Sequence, residues 1–205
     1  MNYFTADLHF FHEQLLKSEH FSPRPYTDLS SEHAGLQKVW NSRVTDQDTV
    51  YHLGDLAFLN KIKPAKKGYQ QLLELLLSLK GQIILVKGNH DTRDLFKFLK
   101  NQHIILADGR PKFEFHDVGL IVKANHHQFF LTHYPLILGP TASSINLHGH
   151  IHHSQVPIAE NINVGIDSED LEYLTADQRP AWGMPLSLEE IEQILIQKHN
   201  RLSTK

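Results

Sequence analysis

Five short apolar runs in this chain each stop at residues able to hold a divalent cation, and the stops are spread along most of its length. They read Asp7-Leu8-His9, Gly54-Asp55, Gly88-Asn89-His90-Asp91, Thr132-His133 and His148-Gly149-His150-Ile151-His152. A short apolar run bounded by glycine or polar residues suits a strand buried in a sheet. In open α/β sheets, ligands collect in the crevice beyond the carboxyl ends of the strands. The pattern therefore demands an architecture that gathers several strand ends at one place. Because the candidate residues run from position 7 to position 152, a single domain spanning residues 1–205 is expected.

The elements between these runs fit that demand. Tyr3–Ala6, Thr49–Leu53 and Ile83–Val86 read as strands, the last β-branched and bounded by Gly81 and Gly88 as if buried on both faces. Helical pieces are expected over 13–18, over 30–40 with Ser30 or Ser31 as N-cap, over 68–79, and over 94–100. The leucines at 72, 73, 75, 76, 77 and 79 surround most of the third of these, which predicts burial on two sides. From residue 104 the texture changes to short strand-like pieces separated by turn signals such as Asp108-Gly109 and Asn125-His126. Ser187-Leu188-Glu189-Glu190 is a capping box that starts a last helix. The polar stretch 167–182, with Pro180, reads as a surface loop. Strand–helix alternation followed by a strand-rich half is met most simply by two packed sheets with helices outside.

Composition excludes several classes. A net charge of −3 gives no general attraction to nucleic acid or to an anionic membrane. The absence of cysteine removes disulfides, thiolate ligands and a cysteine nucleophile. No apolar run reaches transmembrane length. No secretory signal precedes the first strand, and cleavage there would remove Asp7, so a cytoplasmic location is expected. Sixteen histidines with no run of six point to side-chain chemistry rather than a tag, since imidazole is the commonest metal ligand.

In an extended segment alternate side chains point the same way, so Asp7 and His9 are expected to reach one ion, and His150 and His152 share that spacing. A carboxylate at Asp55 can bridge two cations, and Asn89 adds a neutral oxygen. The ordered set of five motifs resembles the calcineurin-like metallophosphoesterase superfamily, in particular its small single-domain bacterial and phage-type members. The resemblance implies an α/β fold, a four-layer α-β-β-α sandwich of two mixed sheets with flanking helices. It implies that Asp7, His9 and His152 hold one metal, that Asn89, His133 and His150 hold the second, and that Asp55 bridges them. It also implies that His90 is the general acid for the leaving oxygen and that Asp91 orients His90, although an Asp there could equally cap the following helix.

The implied reaction is phosphodiester hydrolysis by hydroxide bridging two divalent cations. Such cations, roughly 3.5–4 Å apart, clamp the oxygens of an in-line displacement. The ligand set suits Mn²⁺, Fe, Zn²⁺, Ni²⁺ or Co²⁺, with Mn²⁺ preferred. His12 and Arg24 are candidate contacts to substrate phosphate, each set against a plain surface role. The aromatic residues Phe10, Phe11, Tyr26, Tyr134 and Trp182 could stack on a base, or simply pack in the core. Lys61, Lys63, Lys66 and Lys67 could steer an anion, or form a solvated face. A small phosphoester or nucleotide-type substrate is expected, with pyrophosphate or phosphomonoester cleavage as the alternative reactions. A silent protein-binding module on the same fold is the alternative class. Such modules lose the acid histidine or ligands, and here His90 and every ligand position are filled.

Overall fold

The computed structural model describes residues 1–139, 141 and 143–203. Its first sheet has five strands, in the order β4 (Phe113–His116), β3 (Gln82–Val86), β2 (Thr49–His52), β1 (Asn2–Thr5), β9 (Leu186–Ser187). All neighbours are parallel except β9, which pairs antiparallel with β1. The second sheet has four strands, β5 (Gly119–Ala124), β6 (His127–Thr132), β7 (Ser144–His148) and β8 (Asn161–Asn163), with only the β5–β6 pair antiparallel.

Side chains alternate across a strand, and this alternation builds two cores. Tyr3, Val50, Ile83, Leu85 and Phe113 face outward from the first sheet. They meet Leu36 and Trp40 of α1 (Leu29–Arg43), Leu72, Leu73 and Leu76 of α2 (Ala65–Ser78), and Leu95, Phe96 and Leu99 of α3 (Arg93–Lys100). Phe4 and Val86 face the other way, toward Phe129, Leu131, Ile145, Leu147 and Ile162 of the second sheet. Ile191, Ile194 and Leu195 of α4 (Leu188–Ser203) close this second core. The result is two mixed sheets with flanking helices, as expected. Each fully buried Leu or Ile contributes about 1.5–3 kcal/mol, so packing rather than helix propensity holds the short helices.

Local chemistry sets the helix ends. The capping box of α4 forms: Ser187 N–H donates to Glu190 Oε2 at 2.7 Å, and Glu190 N–H donates to Ser187 Oγ at 3.2 Å. The cap of α1 is Asp28, not Ser30 or Ser31; its carboxylate accepts from Ser31 N–H and from Ser31 Oγ–H. The segment 13–17 is a short 3-10 helix. In α2 the predicted two-sided burial fails, since Leu77 is 45% exposed while Leu72, Leu73 and Leu76 are buried. Ile104–Leu106 forms no strand, only a bridge from Ile105 to Pro111.

The segment after Gly165 is the largest departure. Asp167, Ser168 and Asp170 are buried, and a 3-10 helix spans Glu169–Tyr173. Asp170 meets the buried Lys198 of α4 at 2.8 Å and accepts from Asn163 N–H at 2.7 Å. Polar residues that satisfy one another can be buried, and hydropathy alone does not reveal this. Among the described residues no helix is long and apolar enough to cross a membrane.

Candidate metal centre

Because β1, β2 and β3 are parallel neighbours, their carboxyl ends lie side by side; those of β6 and β7 do the same in the second sheet. Beyond β1 the chain stays alongside the chain beyond β2. The N–H groups of Asp7, His9 and Phe10 donate to the carbonyls of Gly54, Asp55 and Leu56, each at 3.0 Å. Ala6 also bridges Gly165, which lies just past β8, so the two sheets meet at this point.

The site loops are not extended, which corrects the expected reason for side-chain convergence. Asp7 and His9 have φ of 59° and 47°, Asp55 has 55°, and His150 and His152 have 73° and 50°. A left-handed non-glycine residue costs roughly 1–2 kcal/mol. Such residues persist where surrounding structure over-determines them, and they cluster at functional sites. Each one turns the chain sharply, so side chains enter the site from successive tight turns rather than from one strand face.

Three sets of donor atoms result, the atoms of each lying within 4.8 Å of one another: Asp7, His9 and His152; His9, Asp55 and His90; Asp55, His133 and His150. Asn89 completes the last, its Oδ1 lying 2.9 Å from both His133 Nε2 and His150 Nδ1. Asp55 Oδ2 sits at the middle, 3.4 Å from His9 Nε2 and 3.5 Å from His133 Nε2. All seven residues expected to hold metal are thus brought to one place.

The protonation pattern fits cations. His133 Nδ1 is 2.9 Å from the Leu53 carbonyl, which can only accept, so this nitrogen carries the proton. Burial lowers the His133 pKa, which keeps the ring neutral and leaves Nε2 a bare lone pair facing Asn89 Oδ1 and Asp55. His9 Nε2 is buried without a hydrogen-bond partner, and burial, then His152 and Arg24, hold its pKa far below the usual imidazole range. Asp7 is pushed the other way, well above the carboxylate range, by burial and by the charges of Asp167 and Asp55. Several lone pairs and buried carboxylates converging on one place are what a divalent cation requires.

Other expectations change. Asp91 does not reach His90 and does not cap α3, whose cap is Thr92. Its carboxylate accepts from the N–H groups of Gly88, Asp55 and Leu56 at 2.9, 2.8 and 3.0 Å. Asp91 therefore shapes the backbone that carries Asp55. Burial raises its pKa to about 7 despite these bonds. His90 is a third exposed, with Nε2 3.9 Å from Asp55 Oδ2. His12 stacks on Phe58, ring centroids 4.1 Å apart, and places Nδ1 3.3 Å from His9 Nδ1. Burial and then the charge of His90 lower its pKa to about 4, so it is neutral near pH 7.

Arg24 is not a substrate-binding residue. Its side chain is buried, and its N–H groups donate to the carbonyls of Leu8 at 2.9 Å and Asp7 at 3.0 Å, to Glu32 at 2.7 Å and to Ser22 Oγ at 3.3 Å. It holds the left-handed Asp7–His9 loop from behind. Replacing Arg24 with Met is expected to destabilise the fold by about 3–5 kcal/mol, because Glu32 is left buried and unpaired. Urea unfolding of the variant measures this, and a loss under 1 kcal/mol contradicts the clamp.

Sequence reasoning missed three neighbours. Phe21, 57% exposed, lies 4.5 Å from the His152 ring, and Phe58 lies 5.4 Å from the His90 ring. Tyr134, half exposed, packs 4.5 Å from the His150 ring and is the member of the expected aromatic set that reaches the site. Phe10 is core, and Phe11 and Trp182 pack against it. The third missed residue is Asp167, whose Oδ2 is 2.9 Å from His152 Nδ1. Its signal was readable: Ile162-Asn163-Val164-Gly165-Ile166-Asp167 is a sixth largely apolar run ending in a carboxylate.

The chain is similar to known proteins. The profile of the calcineurin-like phosphoesterase family matches residues 3–186. An uncharacterised protein of Methanocaldococcus jannaschii is 36% identical over 154 residues, covering 71% of this chain and 79% of that protein. The Gene 66 protein of Mycobacterium phage L5 is 26% identical over 223 residues, covering 96% and 95% of the two chains. The crystal structure of a protein of unknown function from Aquifex aeolicus superposes with a TM-score of 0.62 at 22% identity, over 95% of this chain and 98% of that one. With its strand ends, ligand order and donor geometry all in place, the chain belongs to the calcineurin-like phosphoesterase family.

Proposed function

We propose that this protein is a dinuclear metal-dependent phosphodiesterase. The observation that carries the reading is the convergence of seven residues with lone-pair donors, Asp55 at their middle, with His90 beside them and a third exposed. Asp7, His9 and His152 would hold one cation, Asn89, His133 and His150 the other, and Asp55 both. When bound, the two cations supply Lewis-acid charge and activate water. We propose manganese first among Mn²⁺, Fe, Zn²⁺, Ni²⁺ and Co²⁺, all of which suit the mixed imidazole, carboxylate and amide-oxygen donor set.

The protein's own groups do the rest. His90 would donate the proton to the leaving oxygen, and its ring is backed by Phe58 at 5.4 Å. His12 holds His9 through Nδ1; its Nε2 makes no hydrogen bond among the described residues and is the atom left for a phosphate oxygen. A diester carries one negative charge and an organic group on each side. The rim suits that shape: it is aromatic at Phe21, Phe58 and Tyr134, and Arg24 is turned inward. A monoester dianion would call for more cationic partners.

The test is hydrolysis of bis(p-nitrophenyl) phosphate beside p-nitrophenyl phosphate, after chelation and after restoring Mn²⁺, Ni²⁺, Zn²⁺ or Mg²⁺. Metal-dependent turnover favouring the diester is expected. Monoester preference, or no turnover by protein that has bound two ions, overturns the diesterase reading. His90→Gln is expected to keep both metals and to lose about 10²–10⁴-fold on alkyl diesters. The loss should be smaller on p-nitrophenyl esters, whose leaving group needs no proton. Equal losses on both substrates would remove His90 from the acid role.

A further inference from the structure

We infer that Asp167 is a positioning residue for the metal centre: its carboxylate fixes the tautomer of His152 and sets the affinity of the cation held with Asp7 and His9. The inference rests on the dinuclear reading above. Asp167 sits in the chain beyond β8, opposite the loop that carries Asp7. Its side chain is fully buried, with Oδ2 2.9 Å from His152 Nδ1. An ionised carboxylate oxygen can only accept, so His152 keeps a proton on Nδ1 and turns Nε2 toward Asp7 and His9. A carboxylate behind a ligand imidazole also raises the basicity of the nitrogen that faces the ion.

The surroundings make a purely architectural role a poor explanation. The same Oδ2 accepts from Ser22 Oγ–H, while Oδ1 is buried without a hydrogen-bond partner. No cationic side chain pairs with Asp167 among the described ion pairs. Instead a second buried carboxylate is its neighbour: a Cβ placed on Gly165 would lie 2.9 Å from Asp7 Oδ2 and 3.5 Å from Asp167 Oδ1. Two buried carboxylates beside one imidazole repel each other, and Arg24, whose charge reaches Asp7, is ion-paired with Glu32 rather than with either of them. A divalent cation on the far side of that imidazole would supply further positive charge. The backbone reinforces the pairing, since the Asp167 carbonyl lies 3.0 Å from His153 Nδ1 and so grips the residue next to the ligand.

Two substitutions separate charge from architecture. Asp167→Asn keeps the size and a carbonyl acceptor for His152 but removes the charge. Ser22→Ala loosens the loop of residues 21–25 and leaves the carboxylate–imidazole pair intact. Metal-free protein is titrated with Co²⁺, and the visible absorption reports each ion. Wild-type protein should take two ions. Asp167→Asn should weaken one of them about 10–100-fold and leave the other within about threefold. Ser22→Ala should leave both within about threefold. Unchanged affinities in Asp167→Asn, or the same loss in Ser22→Ala, overturn the inference. Wild-type protein that takes fewer than two ions overturns the dinuclear reading instead. If Asp167→Asn does not fold, ¹⁵N-histidine spectra of wild-type protein decide, with His152 assigned by His152→Gln. An Nδ1–H tautomer is expected with and without Co²⁺, and an Nε2–H tautomer in the metal-free protein overturns the inference.

Discussion

Replacing Asp55 with Asn should strip both cations and cut diester turnover by about 10³-fold or more, the scale expected when Lewis-acid charge leaves a phosphoryl-transfer site. Among the described residues, Asp55 is the carboxylate shared by two of the donor sets. Oδ2 faces His9, His133 and His90, while Oδ1 accepts from His90 N–H at 2.8 Å. The substitution preserves shape and removes one negative charge from the middle of two donor sets. Elemental analysis after gel filtration checks it. Two tightly held ions per chain in Asp55→Asn would sink the bridging assignment, whatever happens to activity.

Gly88→Ala should be nearly as damaging, through the backbone rather than the charge. A Cβ there would stand 2.2 Å from Asp55 Oδ1 and 2.3 Å from the Asp55 backbone nitrogen. The nitrogen cannot swing aside, because it donates to Asp91 at 2.8 Å. Overpacking of this kind typically costs about 1–3 kcal/mol or more, and here the strain falls on Asp55. Metal occupancy and turnover should drop by about 10²-fold or more, together with a lower Tm. Gly109→Ala is the control: nothing lies within 4 Å of its Cβ, and its φ of 87° predicts only local strain. If Gly88→Ala loads metal as well as Gly109→Ala, the close approach at Gly88 does not matter.

The two-sheet architecture could be read from the chain because its signals are local. Ile83–Val86 announces a buried strand by β-branching, and the ends of the runs announce a shared crevice. What escaped reading depended on partners distant in sequence. Asp167 and Asp170 looked like solvated loop because their partners, His152 and Lys198, lie 15 and 28 residues away. Arg24 looked like a phosphate ligand because a Pro-flanked arginine is conspicuous, whereas the buried Glu32 that claims it sits on a helix face that reads as polar. Asp91 was read from its place beside His90, but three backbone N–H groups take its oxygens, and backbone donors leave no trace in a sequence. The left-handed conformations of Asp7, His9, His150 and His152 were hidden for a related reason. Glycine usually marks such φ values, and here the candidate ligands themselves adopt them.

The split of the donors between two sheets also sets an order of events during synthesis. Asp7, His9, Asp55 and Asn89 leave the ribosome first, and His133, His150 and His152 follow more than forty residues later. On the proposed assignment, neither cation would find its full set in the amino-terminal half alone. A nascent chain ending before residue 133 has all of the first sheet's candidate ligands and none of the second's, so metal would not nucleate folding as zinc does in a small finger domain. Loading would wait until β6 and β7 dock against the first sheet, and metal uptake would then be a readout of completed assembly.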